Sequence, residues 1–178
     1  QRALADRIGQ ATRKIGSGAD IGRTSELMTL AQFGPASIGA AIALAFDDEP
    51  AQPVAEALFI GRFLVEIVFA AGRCPALLPG DLLKQSQIDR TDVSWPKAAP
   101  VYQDLLSRAA EAIDRADAAR SHISTRPLRK MLTKHQMQTV RQIARLRDRD
   151  PASPRARLTG LDKLVISFKL LLRIRGAS

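Results

Sequence analysis

The sequence predicts an all-α fold, a helical bundle, and three observations carry that expectation. Apolar residues recur at three- and four-residue spacing over several long stretches. Ala and Leu are plentiful while aromatic residues are only 4% of the chain, a balance that favours helix over strand. Hydrophobic residues make up 46% of 178 residues, which supports one domain over 1–178 with a proper core rather than a disordered chain.

The elements follow in order. Residues 2–14 predict a short first helix that ends at Gly16-Ser17-Gly18. A second starts at Thr24 or Ser25, with Ser25 as the expected cap and Glu26 at the positive end. It runs through Leu27, Leu30, Ala31, Ile38 and Ile42 to Phe46, and Pro35 predicts a kink. Asp47-Asp48-Glu49-Pro50 is a turn. The stretch 51–71 is apolar on nearly every face and belongs in the middle of the bundle. Pro75, Pro79 and Gly80 break the chain before a short helix, and 90–100 reads as a polar loop with Trp95, Pro96 and Pro100. A helix over about 100–121 turns Leu105, Leu106, Ala109, Ile113 and Ala116 inward, and one over about 126–147 carries Met131, Leu132, Val140 and Ile143. "DRDPASPRARL" is a linker to a last helix striped with Leu161, Leu164, Val165, Phe168, Leu171 and Leu172.

Charge narrows the setting without naming a partner. Lys and Arg number 27 against 18 acids, a net charge of +9 that attracts phosphate, acidic lipid or nucleic acid. Arg126, Arg129, Lys130, Lys134, Arg141, Arg145, Arg147, Arg149, Arg155 and Arg157 crowd the later part of the chain. Aromatic stacking residues are missing among them, which argues against single-stranded RNA recognition; phosphate contacts to duplex RNA stay open, and a solvated face, acidic lipid or an acidic protein are the commoner meanings. Lys163, Lys169, Arg173 and Arg175 flank the last apolar stripe, so that helix suits either a membrane surface or core packing, and core is preferred. No apolar run looks long enough to span a bilayer, so no transmembrane helix is expected. Cys74 alone gives neither a disulfide nor a metal cluster and reads as a small buried hydrophobe. His122 and His135, 13 residues apart, read as helix-end or surface residues. The chain starts at Gln1, the mark of a processed or truncated product.

One feature of the central apolar stretch calls for an explanation. Glu66 stands alone among Phe63, Leu64, Val65, Ile67, Val68 and Phe69. A buried carboxylate must be paired or neutralised, and Arg62 or Arg73 is the expected partner.

Four segments resemble, in order, the squalene/phytoene synthase family of the isoprenoid-synthase fold: "SELMTLAQFGPASIGAAIALAF", with its small-residue motif from Pro35 to Gly39, then "AEALFIGRFLVEIVFAAGRCPALLPGDLL", "LLSRAAEAIDRADA" and "PRARLTGLDKLVISFKLLL". They cover about 25–175. The resemblance implies a bundle equivalent to the C-terminal part of such a synthase, lacking its N-terminal part. Members of that family hold isoprenoid diphosphates through Mg²⁺ bound by two Asp-rich motifs, because Mg²⁺ wants hard oxygen ligands that bridge to phosphate. In the second motif Glu66 takes the place of the first aspartate and Ala70 that of the second. Phe59 and Arg62 stand for the family's Gln and Asn, Val65 for its Arg, and Leu30 for the Tyr of the preceding helix. One carboxylate cannot grip a magnesium–diphosphate cluster, so the resemblance implies a vestigial site, no catalytic residues and no cofactor.

The function so implied is that of an inactive synthase-like protein kept as a structural or assembly component. The family's mitochondrial branch, associated with assembly of respiratory complex I, points to respiratory-chain subunits in a large assembly at the matrix side of the inner membrane, with peripheral contact to acidic membrane lipid. The enzyme alternative is a prenyl-diphosphate synthase, or a partner half of one, with Mg²⁺ as cofactor and Glu66 as a ligand. The nucleic-acid alternative is a mitochondrial ribosome component.

Overall fold

The computed structural model describes residues 2–16, 20–72, 74–159, 162, 165 and 166. Its helices are α1 (Arg2–Gly16), α2 (Thr24–Ala31), α3 (Ser37–Ala45), α4 (Gln52–Ala71), α5 (Gly80–Gln85), α6 (Ala99–Ala118) and α7 (Arg126–Leu146), with a single 3₁₀ turn in each connection from α3 to α7. No strand occurs among the described residues, and the chain is an all-α bundle. Prolines at the first turns of α4, α6 and α7 set the helical φ where no N–H is needed. The helix expected over 161–172 falls mostly outside the described residues. There Asp162 and Ile166 are buried and Val165 is half-buried.

The chain is organised around α4. It packs most extensively on α6, then on α3, and also on α7. Two of its close approaches are made through glycines. A Cβ on Gly39 of α3 would lie 2.6 Å from the Ala55 carbonyl oxygen, and one on Gly61 of α4 would lie 3.0 Å from that of Ala109 in α6. Glycine is what lets these helix backbones touch. Leu27, Leu64, Val65, Leu105, Leu106, Leu128, Leu132 and Leu146 fill the core between the helices. The face of α6 predicted to point inward is buried throughout.

Pro35 does more than bend a helix. Gln32–Ala36 forms a π-helical turn that carries α2 directly into α3. The joined run Thr24–Ala45 has 22 residues and contains an 18-residue stretch of mean hydropathy 1.5, enough to cross a membrane by length and composition alone. That corrects the expectation that no run reaches such a length, because Thr29, Gln32 and Ser37 interrupt the apolar pattern to the eye without lowering its mean enough. Half of that stretch is buried inside the bundle, while Phe33, Ile38 and Leu44, and Phe46 just past the run, remain exposed.

Remote carboxylates serve the starts of α2 and α7. Ser25 does not cap α2. The helix begins one residue earlier, and Asp81 of α5 accepts from the Thr24 N–H at 2.9 Å and from its hydroxyl at 2.9 Å. Burial pushes the Asp81 carboxyl up, but these bonds and the Leu82 N–H outweigh it and hold it below its ordinary value. Glu26 sits at the positive end as expected, accepting from the Gly22 N–H and pairing with Lys14 at 3.0 Å. At α7, the fully buried Asp48 accepts from the Thr125 N–H at 2.7 Å and the Ser124 hydroxyl at 2.8 Å. There too, burial raises the carboxyl and the hydrogen bonds from Thr125 and Ser124 more than reverse it.

Two inward assignments on α7 and near it need correction. Val140 is 49% exposed, since the inward row of α7 runs through Thr139 and Ile143 on either side of it. Cys74 is half-buried rather than a core residue, lying just past the end of α4.

Candidate functional site

Two helices, α4 and α7, border a cleft of about 550 Å³. From α4 come Arg62, Glu66 and Phe69, and from α7 come Lys134, His135, Gln138 and Gln142. Arg157 and Leu158 close one end. The α4 residues lie three or four apart and share a face, as do His135, Gln138 and Gln142 of α7, with Lys134 one turn before Gln138.

Glu66 is therefore not a buried acid. Its side chain is 51% exposed and bonds Arg62 one turn earlier at 3.2 Å. Glu66 turns to the open cleft, whereas Val65 beside it turns to the core and is fully buried. Arg62 is thus its partner among the described residues, and the alternative partner Arg73 lies outside them. Leu30 is also in the core, and Ala70 is half-buried one turn beyond Glu66 without bordering the cleft. Phe59 is half-buried, with its ring 6.0 Å from that of His135. The structure thus gathers Arg62 and Glu66, with Phe59 behind His135, and separates Leu30 and Val65 from them.

The α7 side holds what the sequence reading passed over. His135 is not a surface residue. It is half-buried in mid-helix, and its Nδ1 is enclosed without a hydrogen-bond partner. Burial lowers its pKa below the ordinary value, and the positive charges of Arg62 and Lys134 lower it further, so the ring is neutral near pH 7. Gln142 is only 8% exposed, and its Oε1 is likewise enclosed and unpartnered. A signal for both exists in the sequence. Leu128, Leu132, His135, Thr139, Gln142 and Leu146 fall at 4-3-4-3-4 spacing, the period of a buried row, and its middle three members are polar.

Part of the basic run is structural rather than solvated. Arg141 Nε and Arg145 Nη2 clasp Asp162 at 2.8 and 2.6 Å, and Asp162 is 2% exposed. Arg145 also donates to the Arg157 carbonyl at 2.8 Å, which fixes the closing end of the cleft. Arg157 lays its guanidinium over the Phe69 ring at 5.8 Å. His122 is exposed at the turn after α6, in keeping with the sequence reading.

No group of three or more His, Cys, Asp or Glu is placed to hold a metal ion among the described residues. The Mg²⁺ of the enzyme alternative does not fit the cleft, where one carboxylate, already engaged by Arg62, faces Arg62, Lys134 and Arg157. The fold and cleft together define an all-α helical bundle with a cationic groove. The chain matches no protein-family model, no curated protein and no solved structure.

Proposed function

We propose that this chain is a non-catalytic helical protein, synthase-like in sequence pattern, that serves as a structural or assembly component of a larger complex. The observation that carries the reading is the state of Glu66. The one acid left in the resembled motif is half-exposed and tied to Arg62, and the position one turn on is Ala70. Such a pair cannot share a magnesium–diphosphate cluster, which requires several carboxylate oxygens on one face. Exposed Phe33, Ile38, Leu44 and Phe46 along the α2–α3 run supply apolar surface of the kind partners cover.

The proposed setting is a respiratory-chain assembly at the matrix side of the mitochondrial inner membrane, with the net charge of +9 favouring acidic partners or lipid headgroups. This setting rests on the family resemblance and on charge. Purification from the native source at moderate salt, followed by mass spectrometry, tests it. Co-migration with respiratory-chain subunits supports the proposal, and a lone monomer under those conditions refutes it. Condensation of farnesyl or geranylgeranyl diphosphate that needs Mg²⁺ and is lost in Glu66→Gln would instead establish the enzyme alternative.

A further inference from the structure

We propose that the α4–α7 cleft binds the phosphate monoester of a small hydroxylated molecule without a metal ion. Arg62, Lys134 and Arg157 would take the oxyanion, and Gln142 Oε1 would accept from a hydroxyl.

Size, charge and unmet hydrogen bonds point the same way. About 550 Å³ lies within the usual range for small-molecule sites, and Phe69 and Leu158 give the cleft apolar lining. Its ionised lining is three cations against the single carboxylate of Glu66. Crowding cations around one cleft costs energy that a dianion recovers, and guanidinium forks match phosphate oxygens. The Arg157 guanidinium already sits over the Phe69 ring at 5.8 Å, which places it at the mouth of the cleft before a ligand arrives.

The orphaned atoms add the second half of the ligand. Buried polar atoms without partners are rare in folded proteins, and here two of them, His135 Nδ1 and Gln142 Oε1, belong to side chains that line one cleft. The Gln142 acceptor calls for a donor beyond the ester's phosphate oxygens, and a hydroxyl supplies one once the amide, enclosed in the free protein, turns toward the cleft. This reading is independent of any partner complex.

The test uses the full chain in the presence of EDTA, titrated with sn-glycerol 3-phosphate and followed through the ring-proton NMR signals of the two histidines. Saturable binding in the millimolar range or tighter is expected, with the His135 pKa moving up as the dianion arrives and the His122 signal unmoved. Lys134→Ala and Gln142→Leu should each weaken binding at least tenfold, while Lys84→Ala on α5 should not. Lys134 is exposed, so its variant reports even if Gln142→Leu fails to fold. Phosphatidylcholine vesicles containing phosphatidylinositol 4-phosphate, whose headgroup carries both a phosphate monoester and free hydroxyls, form a second arm. Displacement of glycerol phosphate by them makes the ligand a lipid headgroup, and no displacement makes it a free metabolite. Absence of saturable binding, or equal weakening in all three variants, would overturn the proposal.

Discussion

Replacing Gly39 by Ala should destabilise the bundle, although alanine is the better helix former. In an open helix the exchange gains about 1 kcal/mol. At Gly39 the new methyl would run into one peptide group of α4: the Ala55 oxygen at 2.6 Å, the Ala55 carbonyl carbon at 2.7 Å and the Glu56 nitrogen at 2.9 Å. None of these can swing aside as a side chain would, so α3 must retreat from α4 by the better part of an ångström. A gap of that size forfeits roughly a quarter to a half of each dispersion contact along the interface. Overpacking of this kind typically costs about 1–3 kcal/mol, and the rigid backbone places Gly39 in the upper part of that range. After the helix-propensity gain, a net loss of about 2 kcal/mol remains, or a fall in Tm of about 4–8 °C for a chain of this size. Gly9→Ala on α1 is the control, because its Cβ would meet only the Arg13 guanidinium at 3.6 Å. Urea denaturation should show Gly9→Ala level with or above the parent and Gly39→Ala well below it. Equal or higher stability in Gly39→Ala would refute the claim that the two backbones touch there.

Two further outcomes are expected. Glu66→Gln should change the unfolding free energy by less than about 0.5 kcal/mol in thermal or urea melts, because the Arg62–Glu66 pair is exposed and spaced i,i+4; adding Mg²⁺ should raise the Tm of neither form. Stability should also fall on mild acidification. The folded pKa of His135 lies below the ordinary 6.5, so the unfolded chain takes up its proton first as pH drops. The contribution is fully present above pH 6.5 and is lost as pH falls from there through the folded pKa. His135→Leu should flatten that part of the Tm–pH curve, and an unchanged slope would show that His135 is not the group responsible.

Which parts of this molecule could be read from its sequence depends on how local their causes are. The spans of α4, α6 and α7 are legible because burial repeats with the helical period, and Gly39 was marked within the small-residue motif from Pro35 even though its steric reason needed α4 in place. The exposure of Glu66 is not legible, because one-dimensional apolar density says nothing about which face opens to a cleft; Val65 and Glu66 are neighbours in sequence and point to core and solvent. The site fared worse. Leu30 and Val65 were grouped with Arg62 by resemblance, whereas the packing separates them. His135 and Gln142 were knowable from the polar middle of the α7 row, a pattern that periodicity exposes only when polar residues are counted along with apolar ones.

The remote carboxylates at the starts of α2 and α7 also bear on the order in which the molecule assembles. Asp81 lies 57 residues beyond the N–H group it receives, and Asp48 lies 77 residues before Thr125. Neither helix closes its first turn with a neighbouring side chain. Loops of that length must therefore be drawn together before these ends are secured, which raises the contact order of an otherwise locally wired helical chain and slows its folding. During synthesis α2 leaves the ribosome well ahead of Asp81, so an apolar helical run spends that interval with a frayed start. Its first turn sets only when α5 arrives.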